Sequence, residues 1–188
     1  QRDIPKALKL LQESLKIEEK LGNKKGVAGS LNNVASIYYK QGDVQQALET
    51  YYNCLKIQDE IGDQYGSATS LLNIGVIYDD QNEIPKAWDC YQKSLKINQA
   101  IGNKQGIATA FVNLGGICDK QGNILEAQEY YKQSLKIQEE IGDLHGVATS
   151  LNNLGHELSR LNKTDEAFEY YHKSLAIYEE TQDKEGLS

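Results

Sequence analysis

The 188-residue sequence predicts an all-α fold in which pairs of helices stack into a solenoid. The first observation is a 40-residue repeat, whose copies begin at Leu31, Leu71, Phe111 and Leu151. Residues 31–70 and 111–150 match at 20 of 40 positions. The second observation is that each copy contains two amphipathic helical patterns joined by a turn. One helix pair cannot bury its own apolar face, so neighbouring copies must stack to form a core.

The first element is the second helix of an incomplete pair, over residues 3–21. Gly22 then stands where a helix ends in the left-handed conformation, and Asn23 stands where the next helix is capped. The same pairing of glycine with Asn or Asp recurs at residues 62–63, 102–103 and 142–143. The fifth occurrence is Gln182-Asp183, which keeps the capping residue and loses the glycine.

Four complete helix pairs follow. Their first helices are predicted at about 24–40, 64–80, 104–120 and 144–160, and their second helices at about 44–61, 84–101, 124–141 and 164–181. The first helices end near residues that tolerate a left-handed backbone, namely Gly42, Asn82, Gly122 and Asn162. Asp43 with Gln46, and Asn123 with Glu126, have the spacing of a capping box.

These elements predict one array over residues 1–188. It comprises a half repeat at 1–22, four repeats at 23–62, 63–102, 103–142 and 143–182, and the start of a further repeat at 183–188. Because the pattern is interrupted at both ends, we expect the sequence to be a fragment of a longer array.

Small and aromatic residues recur at fixed points of the repeat. Ala35, Gly75, Gly115 and Gly155 form one column, and Tyr51, Tyr91, Tyr131 and Tyr171 form another. A glycine inside a helix costs about 1 kcal/mol relative to alanine, so three in register need a structural reason. We expect the paired helices to approach closely there, with the tyrosines in the core.

Composition excludes several classes of function. The net charge of −7 argues against binding to a phosphate backbone. No apolar run approaches the roughly 20 residues that a membrane-spanning helix needs. The three cysteines, Cys54, Cys90 and Cys118, are odd in number and unrelated in repeat position, which indicates buried thiols in a reducing, cytoplasmic setting rather than disulfides.

No catalytic or metal-binding pattern emerges, so we predict neither an enzyme nor a cofactor or metal. His145, His156 and His172 lack metal-ligand spacing. Glu157 interrupts a column otherwise formed by Ile37, Ile77 and Ile117. We expect it to form a surface pair with Arg160, or to mark a more exposed last repeat.

The repeat resembles the tetratricopeptide repeat family. The family pattern of large, small and aromatic residues is matched in order and spacing by Leu71, Ile74-Gly75, Tyr78, Ala87, Tyr91 and Ser94. The forty-residue length is similar to that of kinesin light chains, Pins/LGN adaptors and bacterial signalling proteins. The resemblance implies a right-handed superhelical solenoid of antiparallel helix pairs that acts as a scaffold for peptides or partner proteins.

The resemblance also implies a binding groove lined by the first helices. There, a column of carboxamides would hold the backbone of an extended peptide: Asn33, Asn73, Asn113 and Asn153. A carboxamide offers both a donor and an acceptor, which matches a peptide N–H and C=O. The alternative is that each Asn ties a neighbouring helix by a hydrogen bond.

Six further residues are expected to line this groove: Val76, Asp79, Val112, Asp119, Asn152 and His156. The apolar middle and the carboxylates favour a ligand with a short apolar segment and some basic residues. The Lys and Arg clamp of the chaperone-binding members is not matched at the inner positions.

Two other roles remain open. The array could be a sensor or regulatory segment of a larger bacterial signalling protein. It could also associate with itself end to end, because each end of the array exposes an apolar helix face.

Overall fold

The computed structural model describes residues 4–186, with side chains from Lys6 to Thr181. Residues 1–3 and 187–188, the outermost parts of the expected half repeat and of the expected further repeat, lie outside this range. The described chain forms helices joined by short turns, without strands. The helices are α1 (Ile4–Leu21), α2 (Lys24–Lys40), α3 (Val44–Ile61), α4 (Gln64–Asp80), α5 (Ile84–Ile101), α6 (Lys104–Lys120), α7 (Ile124–Ile141), α8 (Leu144–Arg160) and α9 (Thr164–Gly186).

The helices form two compact units, residues 1–101 with α1 to α5 and residues 102–188 with α6 to α9. In the first unit α2 packs on α3 and α4 packs on α5, while α3 and α4 join the two pairs. In the second unit α6 packs on α7, α8 packs on α9, and α7 contacts α8. The expected all-α helix-pair architecture is therefore confirmed.

The turns follow the residue types that the sequence supplies. Gly62 and Gly142 have φ of 69° and 71°, the left-handed conformation expected after the second helices. Asn82 and Asn162, which follow first helices, have φ of 58° and 59°. Because these residues reach the left-handed region at low cost, the four helices before them stop where the sequence predicts.

Two helix ends differ from the sequence prediction, the N-terminus of α7 and the C-terminus of α9. Asn123 lies at the N-cap of α7 but its side chain makes no capping hydrogen bond, and the Glu126 side chain interacts with Cys118 instead. The capping box predicted there is wrong. The last helix was expected to end near residue 181 but continues to Gly186, since no glycine stands at position 182 to stop it.

The first helices α4, α6 and α8 each meet their second helix at a tyrosine ring. A Cβ atom built on Gly75 would lie 2.5 Å from Cε1 of Tyr91, and one on Gly115 would lie 2.6 Å from Cε1 of Tyr131. Both rings are buried. The expected close approach is thus confirmed in a modified form, because the space left by the glycine is filled by a ring rather than by the facing backbone.

A buried serine hydroxyl forms a second contact between the paired helices. Oγ of Ser134 donates to the carbonyl oxygen of Ala108 at 3.0 Å, joining α7 to α6. The same bond recurs from Ser94 to Ala68 at 2.8 Å and from Ser174 to Ala148 at 2.7 Å. Since an unpaired buried hydroxyl is costly, the bond favours one register between the paired helices.

Successive pairs are joined by buried amides. Oγ of Ser70 in α4 donates to Oε1 of Gln58 in α3 at 2.8 Å. Oγ of Ser150 in α8 donates to Oε1 of Gln138 in α7 at 2.7 Å. Each unit therefore repeats the same polar contact between one pair and the next.

The cysteines are free and buried, as expected. Burial raises the pKa of the Cys90 and Cys118 thiols to about 11, so both remain protonated and unreactive at neutral pH. None of the described helices is long and apolar enough to cross a membrane.

The packing of Tyr131 on Gly115 predicts opposite effects for two glycine substitutions. Gly115→Ala should lower the free energy of unfolding by about 1–3 kcal/mol, because its methyl group overlaps a buried ring. Gly29→Ala is the matched control, since its Cβ meets nothing within 4 Å and helix propensity should raise stability by up to about 1 kcal/mol. Urea unfolding followed by circular dichroism measures both. A Gly115→Ala chain as stable as Gly29→Ala would contradict the proposed contact.

Candidate peptide-binding surface

The four column asparagines lie on first helices and remain accessible to solvent. Asn33 is exposed on α2 and Asn73 is half-buried on α4. In the second unit Asn113 on α6 and Asn153 on α8 are both half-buried. None of the four is enclosed between helices, so each unit has two carboxamides accessible to solvent.

One of the four asparagines has the alternative role, a hydrogen bond to a neighbouring helix. Nδ2 of Asn73 donates to Oδ1 of Asn32 at 3.3 Å, which ties α4 to α2. Among the described residues, the amides of Asn33, Asn113 and Asn153 make no hydrogen bond to the chain. Three of the four amides therefore keep their full hydrogen-bonding capacity.

The other expected groove residues lie on the same helices. Val76 and Asp79 on α4, and Val112 and Asp119 on α6, are half-buried. Asn152 and His156 on α8 are exposed. The structure thus places all ten candidate residues within reach of solvent, in two groups that belong to separate units.

Side chains link neighbouring first helices near their C-terminal ends. The Tyr39 hydroxyl on α2 donates to the Asp80 carboxylate on α4, and this bond raises the pKa of Tyr39 to about 12. At the same repeat positions in the second unit, Arg160 on α8 donates to the Asp119 carboxylate on α6. Asp80 and Asp119 are therefore already bonded to donors of this chain.

The burial of Glu157 differs from the sequence prediction. It was expected to be an exposed partner of Arg160, but its residue surface is 0% exposed. Oε2 of Glu157 lies 3.3 Å from Nη1 of Arg160, and Oε1 lies 3.3 Å from Nδ1 of His156. Burial raises the pKa of this carboxyl, and the nearby Asp119 adds to the rise, whereas His156 and Arg160 oppose it. The break in the isoleucine column was the signal, and it marks a buried ionisable group.

Asp119, His156 and Glu157 each bring a potential metal-ligand atom, and the three atoms lie within 4.8 Å of one another. The Arg160 guanidinium already contacts both carboxylates. A divalent cation would have to displace that guanidinium, so we assign no metal to this cluster.

The buried carboxyl predicts a pH-dependent stability. A carboxyl whose folded pKa is raised stabilises the fold below its ordinary pKa, and that contribution is lost as pH rises through the raised value. Glu157→Gln should therefore raise stability at neutral pH and flatten the loss of stability between acid and neutral pH, because the amide does not ionise. Thermal unfolding across pH measures this, with the exposed Glu139→Gln as control. A Glu157→Gln chain that is less stable at neutral pH, or equally pH-dependent, would refute the interpretation.

Comparison with solved structures gives the same fold. BtubC (BKLC) from P. vanneervenii has a TM-score of 0.84 at 22% identity, covering 96% of this chain and 75% of that one. A putative kinesin light chain from Podosopora anserina with nearly identical TPR-like repeats has a TM-score of 0.72 at 20% identity, covering 96% and 89%. Aspartyl phosphate phosphatase F from Bacillus subtilis has a TM-score of 0.87 at 16% identity, covering 97% of this chain and 49% of that one.

At these identities the likeness establishes the fold alone. A comparison with curated protein sequences gives no match. The tetratricopeptide repeat profile matches residues 26–100 and 106–180, which is most of the sequence. With the helix pairs and the tyrosine–glycine packing described above, the chain belongs to the tetratricopeptide repeat family.

Proposed function

We propose that this protein is a scaffold that binds an extended segment of a partner protein along its first helices. The observation that carries the proposal is the accessible asparagine column, in which three of four amides have no partner among the described residues. A strand-like segment presents alternating N–H and C=O groups, and one carboxamide can bond to both. The family to which the chain belongs is typically a non-enzymatic scaffold, which supports binding without chemistry.

The side chains around the column favour particular ligand residues. Leu72 and Val76 on α4 are half-buried and offer apolar surface to a short apolar segment. Asp79 lies one turn beyond Val76 and would favour a basic residue of the ligand. In the second unit the carboxylate of Asp119 is already engaged by Arg160.

Substitution of the column tests the proposal. Peptides selected from a displayed random ten-residue library on the native chain serve as probes, and fluorescence anisotropy measures their Kd. Asn33→Ala with Asn73→Ala, both in the first unit, should raise Kd about tenfold or more, because each amide contributes about 1 kcal/mol of hydrogen bonding. Asn53→Ala, an exposed Asn on the second helix α3, is the matched control.

The decisive comparison is between the double variant and the control. Unchanged Kd in the double variant, with unaltered circular dichroism, would show that the carboxamides do not hold the peptide. A native chain that enriches no peptide at all would overturn the scaffold proposal itself.

Self-association is a second candidate, favoured by exposed apolar side chains on α9. Phe168 and Leu175 lie two helical turns apart and are 57% and 52% exposed. Burying such a surface against a second copy would remove it from water. Sedimentation across protein concentration should then show a rising mass that Phe168→Ser with Leu175→Ser abolishes. A constant monomer mass for the native chain would dismiss this role.

A further inference from the structure

One glycine on the candidate surface has no packing reason. Gly29 lies inside α2, is exposed, and a Cβ built on it meets nothing within 4 Å. The corresponding residues of the other repeats are Thr69, Thr109 and Thr149. A glycine inside a helix costs about 1 kcal/mol relative to alanine, so Gly29 weakens α2 without improving its packing. Such departures from local preference are expected where a surface serves a function.

A cavity of about 220 Å³ lies beside Gly29, between α2 and α4. Gly29 and Asn32 line it from α2, and Tyr65 and Thr69 line it from α4. The Tyr65 side chain is 63% exposed, so the cavity is accessible from solvent. Its volume suits one large side chain of a ligand.

The cavity adjoins the asparagine column. Oδ1 of Asn32 accepts the hydrogen bond from Asn73, which leaves the two N–H groups of the Asn32 amide for a ligand. Both cross-links of the first unit, Asn32 to Asn73 and Tyr39 to Asp80, join residues 41 apart, so α2 and α4 run side by side in the same direction. A segment held by Asn33 and Asn73 would therefore pass beside the cavity.

The groups around the cavity favour an anion. Lys25 lines it and forms no ion pair with any residue whose side chain is described, whereas the adjacent Lys24 is paired with Glu60 at 2.9 Å. The N-terminus of α4, with its positive dipole end, borders the same space. Asp63 also lines the cavity, but its Oδ1 caps α4 by accepting from the Gly66 N–H at 3.0 Å. The groups left for a ligand are thus an ammonium, amide N–H groups and the Tyr65 hydroxyl, together with Oδ2 of Asp63, so donors outnumber the one remaining carboxylate oxygen.

The corresponding residues of the second unit form hydrogen bonds within the chain. There Gln105 stands in the position of Lys25, and its Nε2 donates to Oδ2 of Asp143 at 2.9 Å. Thr109 stands in the position of Gly29, and its hydroxyl donates to the Gln105 carbonyl oxygen at 3.0 Å. The first unit differs at both positions, by the loss of a side chain and the gain of a positive charge.

We propose that the cavity beside Gly29 is a specificity subsite that receives an Asp or Glu side chain of the bound segment, with Lys25 as its counter-ion. The subsite rests on the proposed scaffold function and defines one residue of the ligand. Successive side chains of an extended segment point to opposite sides, so an acidic residue here is compatible with a basic residue near Asp79.

Two variants test the subsite on the complete chain. Gly29→Thr fills the cavity with the residue of the other three repeats, which should fold because the site is open. Lys25→Glu reverses the charge at the rim. Lys56→Glu, the same change at an exposed position on α3, is the matched control. Circular dichroism confirms folding of each chain before binding is measured.

The probe is the displayed library of random ten-residue peptides, sequenced before and after selection on each chain. The native chain and Lys56→Glu should enrich Asp and Glu at one peptide position. Lys25→Glu should instead enrich Lys and Arg at that position, and Gly29→Thr should remove the preference there while leaving the other positions unchanged. For a selected peptide, Glu→Gln at that position should weaken binding about fivefold on the native chain and have little effect on Gly29→Thr.

Failure of the subsite and failure of the scaffold function would give different selection results. Selection of peptides without an acidic preference, or a preference that survives both Gly29→Thr and Lys25→Glu, overturns the subsite and leaves the scaffold function standing. A native chain that selects no peptide overturns both.

Discussion

The contact between a tyrosine ring and a glycine backbone is the constraint on which the pairs α4–α5, α6–α7 and α8–α9 depend. Because no Cβ fits beneath the rings of Tyr91 and Tyr131, Gly75 and Gly115 must face the second helix. An α-helix turns about 100° per residue, so a residue two positions earlier points about 200° away. Asn73 and Asn113 are those residues. The same contact that closes the core therefore turns the carboxamides towards solvent.

Two departures from the repeat pattern lie on first helices. Gly29 gives up helix stability without gaining a packing contact, and Glu157 replaces an apolar core residue with an ionisable group. Second helices, by contrast, keep the serine or cysteine that bonds to the first-helix backbone in every complete pair. The conserved ties within the pair can hold the fold while the exposed side of the first helices varies from one repeat to the next.

Hydrogen bonds also join neighbouring first helices on this exposed side. In the first unit Asn32 bonds to Asn73 and Tyr39 bonds to Asp80, and in the second unit Asp119 bonds to Arg160. The Arg160 bond neutralises the Asp119 carboxylate, which would otherwise attract a basic ligand. The unpaired amides of the column and the cavity beside Gly29 remain available to a ligand. Recognition should therefore depend more on hydrogen bonding and shape complementarity than on the protein's net negative charge.

The sequence by itself determined the helix pairs, their turns and the side of the first helices that carries Asn33 and its counterparts, because helical periodicity and left-handed Gly or Asn residues are local signals. It could not reveal the Glu157 cluster or the cavity beside Gly29. Both depend on which side chains from helices some forty residues apart come together, as Arg160 does with Asp119 and Tyr65 does with Gly29. Such contacts follow from how tightly the pairs pack, and only the tertiary structure decides that spacing.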